Sequence, residues 1–314
     1  MTEPLEDEMT KRTGRTDRAG RAEYRAYTPQ DRMKVREYIS RVYSRLKRLN
    51  SWSIARWEFE IFFIHKRAGM LRGWEQHIGL WEDEAGELAA VVCRDGDYYF
   101  QLDTLEPQEE LLSEMFGFIE KSSSPDSPKL AIPKFMPALE AMARSRGYKL
   151  LRNESDNIIS VALDQEFRAD LPHGFTLCCG DEVSDRAKAQ GHIMAFDYAG
   201  TKKAEQTLQH YGGLREAPGY RPGLDLSLVN AAGEVVAFCN IFVDEANRIG
   251  MLEPVGTHVN YRRQGLGRAV IYEGLNRLRT LGMVKAYTGP MQPFYRRIGF
   301  ALEAEMTIWE KERG

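Results

Sequence analysis

An apolar extended segment, Arg248 to Thr257, leads into Arg262-Arg263-Gln264-Gly265-Leu266-Gly267 and then into a stretch with apolar residues at helical spacing, Leu266, Val270, Leu275 and Leu278. A strand entering a helix through a glycine pair leaves the first helical N–H groups without intrahelical acceptors, and the helix dipole adds positive potential there. Glycines 265 and 267 carry no Cβ, so a phosphate could approach the backbone closely, and Arg262, Arg263 and Arg268 supply local positive charge. The junction therefore predicts an anion site at a helix N-terminus, opening a helix from Gly265 to Leu281.

The elements on either side constrain the architecture. From Tyr24 a short extended piece is followed by Asp31 as N-cap of an amphipathic helix carrying Val35, Tyr38, Ile39, Val42 and Leu46. An aromatic helix, Ile54 to Lys66, reads as core or cleft lining. Strands at 76–81, 88–93 and 98–102 form an antiparallel meander. They are followed by a helix from Pro107 to Glu120, a Ser/Pro linker, a strand at Leu130, a helix around Met136 to Arg146 and a strand ending near Leu163. After a connector at 168–173 the order recurs: a strand at Phe175, helices between Asp181 and Tyr211, a hairpin about Asn230-Ala-Ala-Gly233, the strand and glycine segment above, a strand at 284–287, a short helix near Pro293 and a final strand pair. The fold expected is α+β: two tandem domains at 23–167 and 174–314, each a twisted, mostly antiparallel sheet flanked by helices, after a flexible tail at 1–22 too poor in large apolar residues to order itself.

Composition excludes several classes. With 43 basic and 46 acidic side chains, nothing global favours nucleic acid. No apolar run approaches membrane-spanning length, and the N-terminus lacks a secretory pattern, so a cytoplasmic protein without membrane partners is expected. Cys93, Cys178, Cys179 and Cys239 have neither zinc spacing nor disulfide density, and no metal is expected.

Gly265-x-Gly267-x-x-Val270 nearly fits a dinucleotide fingerprint, but antiparallel strands precede it where that fold requires a parallel strand-helix repeat. Instead, Arg262-x-x-Gly265-x-Gly267 resembles the coenzyme A pyrophosphate motif of the GNAT superfamily of N-acetyltransferases. Pro293-Phe294-Tyr295-Arg296-Arg297-Ile298-Gly299-Phe300 resembles that family's later Tyr-x-x-x-Gly-Phe signature. The resemblance covers about residues 174–312. It implies acetyl-CoA as co-substrate, a splayed gap between the fourth and fifth strands for pantetheine, backbone contacts at Thr257 and Val259, and the pyrophosphate on residues 262–268. Thr288 departs from an asparagine that many members carry there.

The resemblance also assigns Tyr295 as the acid that protonates the departing thiolate; an unperturbed phenol, with a pKa of about 10, is protonated at neutral pH. Glu253 is the candidate base, with binding of the acceptor's ammonium or pairing with an arginine as alternatives; His258 is a weaker candidate. In the first domain the matching junction reads Asp103-Thr-Leu-Glu106-Pro-Gln-Glu109-Glu110, whose carboxylates would repel a pyrophosphate, so that copy should bind no coenzyme A. Trp52, Trp57 and Trp74 are expected mainly in the core, with help in binding a cationic acceptor, together with the acidic junction, as the alternative. The expected activity is direct transfer of acetyl to a small-molecule or peptide amine. A non-catalytic acyl-CoA-binding module and an enzyme for another phosphate ligand are the alternatives, and monomer and homodimer both stay open.

Overall fold

The computed structural model describes residues 21–123 and 127–311, apart from 67, 68 and 70. Most of the tail expected at 1–22 lies outside the described residues. The first half contains β1 (Glu23–Ala26), α1 (Arg32–Leu46), α2 (Ile54–Phe59), a π-helical turn over Glu60–His65, α3 (Leu71–Glu75), β2 (Gly79–Glu82), β3 (Leu88–Asp95) and β4 (Asp97–Leu102). It continues with α4 (Glu109–Ser122), β5 (Lys129–Pro133), α5 (Pro137–Ser145), β6 (Tyr148–Leu151) and β7 (Ile158–Ala162). The second half contains β8 (Phe175–Cys179), α6 (Asp185–Ala195), α7 (Lys202–His210), β9 (Asp225–Asn230), β10 (Val235–Asp244) and β11 (Ile249–Thr257). It ends with α8 (Leu266–Thr280), β12 (Lys285–Thr288), α9 (Pro293–Arg297), β13 (Ala301–Ala304) and β14 (Met306–Lys311).

These elements build two seven-stranded sheets, β1-β2-β3-β4-β5-β14-β6 and β13-β7-β12-β11-β10-β9-β8. All pairings are antiparallel except β4 with β5 and β11 with β12. The mixed two-sheet architecture agrees with the α+β tandem expectation.

The sheets are not divided at the connector, and this corrects the boundary at 168–173. Each half donates a strand to the other: β7 lies between β12 and β13 of the second sheet, and β14 between β5 and β6 of the first. The final strands therefore do not form the pair expected. Glu305 alone separates β13 from β14, whereas the commonest tight hairpin loops have two residues, and the chain instead crosses from one sheet to the other.

The exchange joins the halves into one body. One apolar cluster contains Trp52, Trp57 and Trp74 from the first half together with Phe242, Met251 and Tyr287 from the second. Polar contacts reinforce it: the Tyr43 and Tyr287 hydroxyls lie 3.0 Å apart, and Ser44 donates to Asn247 Oδ1 at 2.7 Å. Trp309 on β14 is buried against Trp81, Phe100 and Leu130, in the core of the first domain. Trp309→Ala is expected to cost about 4 kcal/mol by opening a cavity there. Urea unfolding with amide exchange checks this: protection should fall first in β5 and β6, and a loss confined to β12 and β13 would contradict the exchanged strand.

Candidate functional site

Strands β11 and β12 are paired only from Ile249 opposite Lys285 to Met251 opposite Tyr287. Beyond that point they separate, with the Thr288 hydroxyl donating to the Leu252 carbonyl at 3.3 Å where they part. On the opposite edge of β11 the register with β10 slips between Cys239 opposite Val255 and Ile241 opposite Leu252, so Glu253 and Pro254 together face Asn240. Such a bulge bends a strand and re-aims its side chains. A cavity of about 470 Å³ occupies the gap, lined by Leu252 to Val255 on one side and by Thr288 to Pro290, Gln292 and Tyr295 on the other.

At the end of β11 the chain turns through a 3-10 turn, Val259–Tyr261, into α8. Gly265 sits at φ +84°, the left-handed region that costs a side chain strain, and serves as N-cap. Gly267 is needed for a different reason: a Cβ there would lie 2.9 Å from Thr257 Oγ1 and 3.4 Å from the Phe294 ring. The first intrahelical bond runs from the Ala269 N–H to the Gly265 carbonyl, so the amides before Ala269 have no helical acceptor. Arg263, Gln264 and Arg268 are exposed around them. Arg262 is tied down, donating to the Ala195 carbonyl at 2.8 Å and to that of Thr257 at 3.3 Å, which fixes the loop against the end of α6. Among the described residues none of the three arginines pairs with a carboxylate. Cations at a helix N-terminus oppose its dipole, so the arrangement suits an anion.

Thr257 ends β11 as expected, but Val259 does not lie on that strand; it begins the 3-10 turn because the ladder stops at Thr257. The His258 ring accepts the Asn260 N–H at 3.1 Å and so caps the turn.

Tyr295, in the first turns of α9, is 93% shielded from solvent, and burial pushes its phenol up to about 12, with the Thr288 hydroxyl beside it opposing the shift. Glu253 meets Arg56 of the first half, whose guanidinium donates to Oε1 at 2.6 Å. Burial raises the Glu253 carboxyl above its ordinary value, and Arg56 partly counters this. Arg56 also contacts Asp95 and lies 3.2 Å from the fully buried Glu60, to which His65 approaches at 2.9 Å. Sequence reasoning missed Arg56, Asp156 and Tyr99, which line the cavity from the first half. The arginine and glutamate at positions 56 and 60, one helical turn apart in an aromatic helix, were the available signal.

The sequence profile of the acetyltransferase (GNAT) family matches residues 189–300, which span α6 to Phe300 and include every element just described around the glycine junction. The second half of the chain carries a GNAT-family domain. Among solved structures, the chain is similar to a GCN5-related N-acetyltransferase from Sphaerobacter thermophilus, at 17% identity over 93% of this chain and 95% of that one, with a TM-score of 0.60. It is similar also to a tandem GNAT protein from the clavulanic acid biosynthesis pathway, at 13% identity over 94% and 99%, with a TM-score of 0.59. A GNAT-family acetyltransferase from Colwellia psychrerythraea aligns at 12% identity over 92% and 100%, with a TM-score of 0.55. At these identities the likeness establishes the fold alone, two domains of GNAT fold in tandem. No curated protein sequence matches the chain.

The two GNAT domains differ at corresponding places. In the first, β4 pairs with β5 only at Tyr98 and Tyr99, a splay like that of β11 and β12. Beyond it the carbonyls of Phe100 and Leu102 accept from Ser51 at 2.7 Å and Asn50 at 2.9 Å, while Gln101 donates to the Trp52 carbonyl at 2.9 Å. Residues 50–52 of the chain itself thus occupy this strand edge. Helix α4 opens with Glu109 and Glu110, and Asp103 is held by Arg45. Among the described residues no helix is long and apolar enough to cross a membrane.

Proposed function

We propose that the chain is an N-acetyltransferase whose second domain holds acetyl-CoA and whose cleft between the domains holds an amine acceptor. The observation that carries this reading is the splayed cavity, with a cationic, glycine-lined helix N-terminus at the end of β11 and a buried tyrosine on the facing wall. The amides and arginines of residues 262–268 would bind the pyrophosphate, and the β11 edge as far as Thr257 the pantetheine arm. The first domain takes no coenzyme A, because its strand edge is filled by residues 50–52 and its helix opens on carboxylates.

In the transfer the neutral amine nitrogen forms a bond to the thioester carbonyl carbon, and the carbon–sulfur bond breaks. The nitrogen's proton passes to Glu253, directly or through water, and the departing thiolate takes the Tyr295 proton. Pro254 has no N–H, which leaves the Val255 amide as donor to the developing oxyanion. The products are the acetamide and free coenzyme A thiol, so thiol release across a panel of amines tests the reading. A non-catalytic acyl-CoA-binding module draws support from the Arg56–Glu253 pair, which occupies the carboxylate; it predicts cofactor binding with no thiol released by any amine.

The same pair sets a pH expectation. Arg56 holds the Glu253 carboxyl down, so Arg56→Gln lets it rise, and the acidic limb of the kcat/KM profile should move to higher pH. Arg56→Lys should restore most of the original profile, and an unmoved limb in Arg56→Gln would exclude Glu253 as base.

A further inference from the structure

We infer, resting on the acyl-transfer reading, that the acceptor is a small primary amine carrying a second cationic group, with that second charge held at Asp156 by the wall that the first domain contributes. Among the described residues lining the cavity, Arg56 is the one arginine or lysine, and it faces Glu253, Glu60 and Asp95 together. Its charge is therefore shared among three carboxylates. Asp156 adds a fourth and has no arginine or lysine partner among the described residues; its Oδ2 accepts the Tyr99 hydroxyl at 2.9 Å. A half-buried carboxylate oriented by a phenol and lacking a counter-ion attracts a cation more strongly than one in open water.

The wall beside it is aromatic. Trp52 and Tyr99 stand with ring centroids 5.8 Å apart, and Phe196 and Tyr198 line the cavity from the second half. Aromatic faces tolerate an ammonium where aliphatic walls would not. A dication fits the division of labour in the cleft: one amine is deprotonated and attacks near Glu253 and Tyr295, while the other group stays charged and anchors the molecule.

Calorimetric titration of the full chain with 1,5-diaminopentane, pentylamine and 5-aminopentanoate tests this, because the three share a chain length and differ in the charge of one end. The diamine should bind at least about tenfold more tightly than pentylamine, and 5-aminopentanoate should bind most weakly. Asp156→Asn, which retains an acceptor for the Tyr99 hydroxyl, should bring the diamine to the affinity of pentylamine. Equal affinities of diamine and monoamine, tighter binding of 5-aminopentanoate, no measurable diamine binding, or a diamine affinity indifferent to Asp156→Asn would each overturn the inference. Coenzyme A titrated into the same protein reads the acyl-transfer proposal separately. A diamine preference without coenzyme A binding would remove that proposal and keep the dication site.

Discussion

Replacing Tyr295 by Phe should lower kcat by about two to three orders of magnitude while changing acetyl-CoA affinity by less than about twofold. The substitution deletes one oxygen and leaves the ring packed against Phe294 and Phe300, so the fold has little reason to respond. What is lost is a proton donor on the cavity wall. With its phenol pushed up to about 12, Tyr295 is protonated throughout the neutral range and so holds a proton ready for the departing thiolate. The alkaline limb of the wild-type profile should therefore not appear below about pH 10 on account of this residue. Steady-state kinetics with any acceptor that is turned over checks both statements, and unchanged kcat would remove the role.

Gly267→Val should weaken coenzyme A binding by at least about a hundredfold. Even a single Cβ at this position would press on Thr257 Oγ1, and a branched side chain would also meet the Phe294 ring. The first turn of α8 would have to move away from the end of β11, displacing the amides proposed to receive the phosphates. Stability should fall far less than affinity, because the buried face of α8, Leu266, Val270, Leu275 and Leu278, is untouched. Calorimetry beside a thermal melt separates the two effects, and a variant that binds coenzyme A normally would place the phosphates elsewhere.

Much of the second domain was legible because its information is local. Helical spacing predicted a helix at 265–281, one residue longer at each end than the α8 observed, and the glycine junction marked its start. Glu253 was identified, and its arginine partner left open as one alternative, because the strand's apolar pattern shows only where a side chain sits along the chain. Which residue faces it is decided by docking of the two halves, about 200 positions apart in sequence. The exchanged strands were hidden for a related reason. Ile158–Ala162 and Met306–Lys311 read as ordinary strands, and strand propensity carries no statement about which sheet receives them. The one-residue connection at Glu305 was the local clue that a hairpin could not form there. Val259 falls past the strand, in the 3-10 turn, because the ladder of β11 with β10 ends at Thr257.

The chain is proposed to hold one acyl-CoA, in the second domain. Calorimetric titration of acetyl-CoA into the full chain tests it most directly. Saturation is expected at one equivalent, with binding lost in Gly267→Val and retained in a Glu109→Ala, Glu110→Ala double variant of the first domain. Saturation at two equivalents, or no binding of acetyl-CoA where ATP or NAD binds, would contradict it.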